Sequence, residues 1–183
     1  MAAGEKKLTP MMAQYMAMRR SLPDDILLLY RLGDFYEMFF EDAKAAAGIL
    51  NVALTKRNDI PMCGVPHHAA QGYIAKLIKA NKRVAIAEQT TAPEPGKIVE
   101  REIAQIISAS TVNDLTLLDD TKHTYLAAVF LGGTAKKSCF GLACADHTTG
   151  EFTVAEFTDH QQLEDELTRL SPSDLLISDE QVA

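Results

Sequence analysis

The features that classify many proteins at sight are scarce in these 183 residues. Cysteine is one: Cys63, Cys139 and Cys144 are odd in number and share no paired spacing, which argues against a disulfide framework and suits reduced thiols in a cytosol. Long apolar runs are another, since stretches such as "ILLLY" at Ile26 to Tyr30 are far too short to cross a bilayer, and "MAAGEKKLTP" lacks the apolar segment of a signal peptide. A soluble cytoplasmic protein with no membrane partner is expected. No internal repeat or low-complexity tract is present, which excludes a solenoid, and "TTAPEPGK" is the one loop rich in proline. Positive charge is short as well. The formal net charge is -7, at first sight wrong for a partner built of phosphates.

That total hides an asymmetry. Up to Ser108 there are 14 Lys and Arg against 12 Asp and Glu, net +2; from Ala109 onward there are 4 against 13, net -9. A shift of this size supports a boundary near "SASTVNDLTLLDD", and only the first part has charge suited to phosphate. With 47% hydrophobic residues the chain can bury a real core and divides into two modest domains: residues 1–108, a linker over 109–123, and 124–183.

In the first part, Thr9 followed by Pro10 is a helix start, with an N-cap and a proline at the first helical position. Met12, Tyr15, Met16 and Arg19 follow at helical spacing until "SLPDD" ends the helix. Ile26 to Leu32 predicts a buried strand, Gly33 and Asp34 a turn or bulge, and Phe35 to Phe39 a further extended segment. "EDAKAAAGIL" predicts a short helix with acids favouring its N-terminus. A strand in "VALTKR", a loop "NDIPMCGVPHHA", a helix through Tyr73, Leu77 and Ile78, and strands in "RVAIAEQ" and "EIAQIIS" complete it. This alternation predicts an α/β domain with a mixed sheet and about three helices. The second part predicts three antiparallel strands, "TYLAAVFL", "SCFGLACAD" and "EFTVAEF", with turns at Gly133 and "HTTG", then a helix "DHQQLEDELTRL" and a strand "DLLIS". A sheet of that make-up needs further elements to cover it, as the opening of a second domain would.

The most informative stretch is "RLGDFYEMFF", Arg31 to Phe40. Alternation in an extended chain puts Phe35, Glu37 and Phe39 on one face and Tyr36, Met38 and Phe40 on the other. The second face is a core face. The first carries a carboxylate beside an aromatic ring, an arrangement that calls for water or a polar ligand.

The blocks "TPMM", "LLLYRLGDFYEMFFEDA", "LTKR", "IPMCGVPHHA", "YIAKLI" and "VAIAEQ", in this order and near the expected spacing, resemble the N-terminal mismatch-recognition domain of the bacterial MutS family of DNA mismatch repair proteins. The resemblance covers Leu8 to Ser108 closely and Thr124 to Ser178 more loosely, as the start of that family's RNase H-like α/β connector domain. It implies that Phe35 is the ring that wedges beside a mispaired or unpaired base and that Glu37 hydrogen-bonds that base. Leu32 matches a family position near the wedge, and Lys56 and Arg57 beside it are expected to contact phosphate. The partner implied is mismatched double-stranded DNA. In the full-length family a homodimer, other mismatch repair proteins, ATP and Mg are implied too; no cofactor is expected in this chain, where nothing matches the family's ATPase domain. Where many members read Thr-Pro-Gly-Thr at the exit from the first domain, Ser108, Ala109, Ser110 and Thr111 stand here, without the rigid and the permissive residue.

Physical chemistry gives such a wedge a purpose. A ring inserted from the minor groove unstacks a base step and kinks the duplex, and a mispaired step, already weakly stacked, lowers that cost. The wedge then reads deformability instead of sequence. A Phe-x-Glu triplet by itself is commonly core packing, Leu32 equally suits a core strand, and Lys56 and Arg57 equally suit a solvated strand end. The run Lys76, Lys79, Lys82 and Arg83 is read as solvated surface. Cys63, His67 and His68 fall short of a four-ligand metal site, and "GGTAKKS" lacks the glycine beside the lysine that a phosphate loop needs. Two alternatives differ in class: an RNase H-like nuclease using Asp146 and Glu151, and an acidic protein-interaction module. No catalytic residue is assigned.

Overall fold

The computed structural model describes residues 8–111, 124–134, 137–146 and 148–181, which divide into two compact units, Met1–Ile107 and Ser108–Ala183. The expected linker falls mainly on residues 112–123, outside the described residues. Among the described residues, no helix is long and apolar enough to cross a membrane.

The first unit is a six-stranded mixed sheet flanked by three helices. Helix α1 (Pro10–Arg20) starts where Thr9 and Pro10 predict, the Thr9 hydroxyl accepting from Met12 N–H at 3.4 Å. Strands β1 (Ile26–Leu32) and β2 (Phe35–Phe39) form a hairpin, followed by α2 (Phe40–Leu50), β3 (Thr55–Arg57), β4 (Ile60–Pro66), a 3-10 turn at His67–Ala69, α3 (Ala70–Lys79), β5 (Arg83–Gln89) and β6 (Arg101–Ile107). The sheet order is β3-β4-β2-β1-β5-β6, with β1 parallel to β5 and the other pairs antiparallel. Each face of β1 is covered, which is why "ILLLY" is apolar without alternation. On one face α1 packs Met12 and Tyr15 against Leu28, Tyr30, Phe39, Ala85 and Ala87. The Tyr15 ring meets Tyr30 and Phe39 edge-on, at 5.4 and 5.0 Å between centroids, geometries worth roughly 0.5–1.5 kcal/mol each beyond burial. On the other face α2 and α3 cover Leu27, Leu29, Met38, Cys63, Val65 and Val84, all buried.

Two expectations need correction here. The segment expected as a loop, "NDIPMCGVPHHA", is mostly β4. Pro61 pairs only with Lys56 toward the sheet edge and Pro66 ends the strand, so neither proline removes a ladder bond in the sheet centre. Asn58 and Asp59, at φ 52° and 68°, close a tight β3–β4 hairpin. Phe40 does not share a core face with Tyr36 and Met38: at φ 55° it leaves the strand to begin α2, and its half-buried ring lies 6.2 Å from Tyr15. The two acids expected at the start of α2 do lie in its first turn; Glu41 stays exposed and pairs with Lys44, whereas Asp42 is buried. The Asp42 carboxylate accepts from Leu28 N–H at 3.1 Å, Tyr15 O–H at 3.3 Å and Arg19 Nε–H at 3.2 Å, tying α1, β1 and α2 together.

In the second unit β7 (Leu126–Thr134), β8 (Lys137–Asp146) and β9 (Glu151–Phe157) run antiparallel, followed by α4 (His160–Leu170) and β10 (Asp174–Leu176), which pairs parallel with β7. Gly133 lies inside β7 and not in a turn; residues 135–136, which follow, are outside the described residues. Helix α4 places Leu163 over Ala127, Val129, Leu142 and Cys144 on one face of this sheet. Phe130, Phe152 and Val154 stay exposed on the other. Ser108 to Thr111, where proline and glycine are lacking, close a turn through hydroxyls. Thr111 Oγ1 accepts from Ser108 N–H at 2.9 Å, and Ser110 donates to the Asp174 carboxylate.

Candidate nucleic-acid interface

The β1–β2 hairpin is built to present one ring. Gly33 takes φ 58°, open to glycine at little cost and suited to the first central position of a two-residue hairpin turn. Three contacts fix the turn: Arg31 Nε–H donates to Gly33 O at 2.6 Å, His67 N–H donates to Asp34 O at 2.9 Å, and Arg101 Nε–H donates to Arg31 O at 2.6 Å. Arg101 is itself buried, its guanidinium 4.7 Å from the Tyr30 ring centre. Behind the turn, Tyr36 faces the opposite side of the sheet, its hydroxyl bonded to Glu88 and pushed up to about 12 by burial and then by that carboxylate.

On this frame Phe35 is 46% exposed, a large aromatic in water at the first position of β2. Leu32 is its cross-strand neighbour on β1 and is half-buried, and Pro66 faces it from β4. One step inward on the same face stands Glu37, between Tyr30 on β1 and Gly64 on β4. Gly64 presents only backbone there, and a Cβ at that position would lie in ordinary contact, 3.5 Å from Glu37 Cγ. One step further, Phe39 is fully buried under α1. The face therefore passes from an exposed ring, through a partly sheltered carboxylate, to core.

The two basic residues expected beside the wedge do not act alike. Lys56 and Arg57 are neighbours on β3, so their side chains alternate between faces. Arg57 shares the face of Glu37 and pairs with it, Nη1 to Oε2 at 2.8 Å. The Glu37 side chain keeps 13% of its exposure and Arg57 43%. Burial holds the Glu37 carboxyl above its ordinary range, and the Arg57 guanidinium opposes that shift without cancelling it. Sequence reasoning missed this pair. The residues lie 20 apart, and only the β3–β4 hairpin hidden behind the two prolines brings them together.

The remaining candidates resolve into structural roles. Cys63 donates to Ala43 O from the α2 side of the sheet, and burial raises its thiol to about 11. Asp146 and Glu151 are cross-strand partners at the β8–β9 turn. The buried Asp146 carboxylate accepts from Thr148 N–H at 2.9 Å and its hydroxyl at 2.6 Å, as turn chemistry requires. Arg83, from the basic run, pairs with Asp25 at 2.7 Å, and Lys76 lies over the Tyr73 ring.

The sequence is similar to proteins of known family. Residues 9–116 match the family model described as MutS domain I, and residues 124–183 match MutS domain II. A "DNA mismatch repair protein MutS" of Syntrophobacter fumaroxidans is 47% identical over 180 residues, covering 95% of this chain and 20% of the relative. A protein of the same description from Treponema denticola is 45% identical over 181 residues, covering 94% of this chain and 20% of its own length. The chain thus spans about a fifth of the relatives it matches.

Proposed function

The chain belongs to the MutS family, and from that premise and the hairpin geometry we propose that it takes part in DNA mismatch repair by inserting Phe35 beside a mispaired or unpaired base from the minor groove. The observation that carries this is a 46%-exposed phenylalanine on a turn held by three hydrogen bonds, with a sheltered carboxylate next on the same face. A ring carried on a turn whose backbone is already held loses little backbone entropy when it inserts, so its stacking on a base, roughly 1–3 kcal/mol, is set mainly against unstacking. In a paired step the unstacking cost of a few kcal/mol opposes that gain; in a mispaired step much of it is already met.

Within this reading, residues 1–108 are the DNA-reading domain and 124–183 the opening of a connector domain, and neither is an enzyme. Glu37 bonds the displaced base as acceptor, or as donor once protonated. Leu32 packs beside the wedge, and Arg57 and Lys56 supply positive charge, from opposite faces of β3. In the full-length protein, ATP and Mg binding, a homodimer, other repair proteins and a cytoplasmic setting belong to the same proposal.

Phe35→Ala in the full-length protein tests the wedge. Preference for mismatched over perfect duplex should fall by about 5- to 150-fold, the equivalent of one lost base stack. Salt-dependent binding to perfect duplex should stay, because phosphate contacts carry it. A variant that keeps its mismatch preference in competition binding at fixed salt would sink the assignment.

A further inference from the structure

We propose that Arg57 is a latch on Glu37: in the DNA-free protein the pair is closed, and a mispaired duplex opens it by giving each partner a better one at the same moment. This inference rests on the wedge reading and names the residue that links phosphate contact to base contact.

The pair has the geometry of something held and releasable. It is a single contact, Nη1 to Oε2, and among the described residues neither the other guanidinium N–H groups nor Oε1 has a protein partner. Arg57 sits on β3, the edge strand of its sheet, held by the tight Asn58–Asp59 turn, with more than two fifths of its side chain in water. Beside it Leu8, Met11, Met12, Phe40 and Ile60 line an apolar groove of about 640 Å³, along which its methylene stem can lie while the head swings outward. A guanidinium offered a phosphate gains a bidentate partner.

Glu37 supplies the discrimination. The groups facing it on this side of the sheet are Phe35 along its own strand, Tyr30 across on β1, the bare backbone of Gly64 on β4, and Arg57 from β3. The Tyr30 hydroxyl is engaged by Gln14 and by Arg101 at 3.3 Å. Once Arg57 leaves, the sheltered carboxylate needs a proton or a base N–H. A displaced base offers that N–H; a paired, stacked base does not. On perfect duplex the latch therefore stays closed and Arg57 is withheld from phosphate. On mismatched duplex both exchanges occur, so the wedge, the carboxylate and the phosphate contact are read together. Lys56 cannot stand in, because alternation puts it on the other face.

A double-mutant cycle on this 183-residue chain decides the matter, using Arg57→Met, which keeps the apolar stem, Glu37→Gln, and both together. Each is titrated at low salt with a duplex containing one unpaired thymine and with its fully paired counterpart; circular dichroism checks folding and Arg57→Lys tests whether charge alone restores binding. If the residues are linked, Arg57→Met weakens binding to the unpaired-thymine duplex at least about five-fold less in the Glu37 background, where the pair must first be broken, than alongside Glu37→Gln, where Arg57 is already free. Losses equal within about two-fold in the two backgrounds would make Arg57 an ordinary phosphate contact and overturn the latch. A DNA-free readout stands beside it: by carboxyl NMR, Glu37 should titrate at higher pH in Arg57→Met than in the parent, and an unchanged titration also overturns the latch. Phe35→Ala run in parallel separates the two ideas. Lost mismatch preference with independent Arg57 and Glu37 effects condemns the latch alone. Kept preference with strong linkage condemns the wedge alone.

Discussion

At the scale of the residue, Glu37 holds opposing requirements. Its carboxyl lies above the ordinary range because burial outweighs Arg57, so the folded chain binds that proton more tightly than the unfolded chain does. The sign follows: stability falls as pH rises from the unfolded value through the folded one, and the full penalty is present above both. Glu37→Gln should therefore be the more stable protein at neutral pH, by under about 1 kcal/mol given the exposed partner, and the difference should vanish below the ordinary carboxylate range. Urea melts at pH 7 and pH 3 measure this. On DNA the same variant should keep or raise affinity for perfect duplex while narrowing the gap to mismatched duplex, since it removes a charge that repels phosphate. A uniform loss on both duplexes would instead point to a structural role. Phe35 and Glu37 were legible in the sequence because a two-residue alternation and the surrounding blocks marked them. The partner of Glu37 was not, because pairing across a hairpin leaves no local trace.

At the scale of the element, the sequence announced helices and lone strands well and misjudged β4. Thr9 with Pro10 marks the start of α1, and Gly33 marks the tip of the first hairpin, each through backbone chemistry that acts within a few residues. Pro61 and Pro66 speak against a strand just as locally, and they mislead because the sheet places them where no central bond is lost. Asp42 teaches the same lesson from the other side. As an acid in the first turn of α2 it looks like a dipole partner, yet it is buried and joins three elements through Leu28, Tyr15 and Arg19. Asp42→Ala strands a buried strand N–H and a half-sheltered guanidinium, so it should cost about 2–4 kcal/mol and lower the melting temperature of the first unit. It should do so without changing the ratio of mismatched to perfect duplex binding in the folded protein. Glu41→Ala, one residue earlier on the exposed side, should cost under about 0.5 kcal/mol, and equal losses at the two positions would refute the tie.

At the scale of the whole molecule, charge sets what this chain can do by itself. Residues up to Ser108 carry net +2 and those from Ala109 carry net -9, so phosphate attraction is small and the acidic second part opposes it. Part of the positive charge is already committed inside the first unit: Arg19 to Asp42, Arg83 to Asp25, Arg57 to Glu37, and Arg101 to backbone carbonyls and Tyr30. A single ring returns roughly 1–3 kcal/mol per stacked base against an unstacking cost of similar size. With few phosphates neutralised, the surplus is close to that of non-specific binding, whose Kd is on the order of micromolar or weaker at physiological salt. The 183-residue chain should therefore bind a mismatched duplex only in that weak range, with a shallow salt slope and a mismatch preference of at most about 100-fold. Since the chain spans a fifth of its relatives, tight binding is expected to need contacts from outside it, which would raise the concentration of the wedge at the DNA without altering the wedge. Fluorescence titration of a labelled mismatched duplex at two salt concentrations is the measurement. Nanomolar, strongly mismatch-selective binding would mean that a large phosphate-contacting surface exists on this chain, in conflict with the distribution of charge just described.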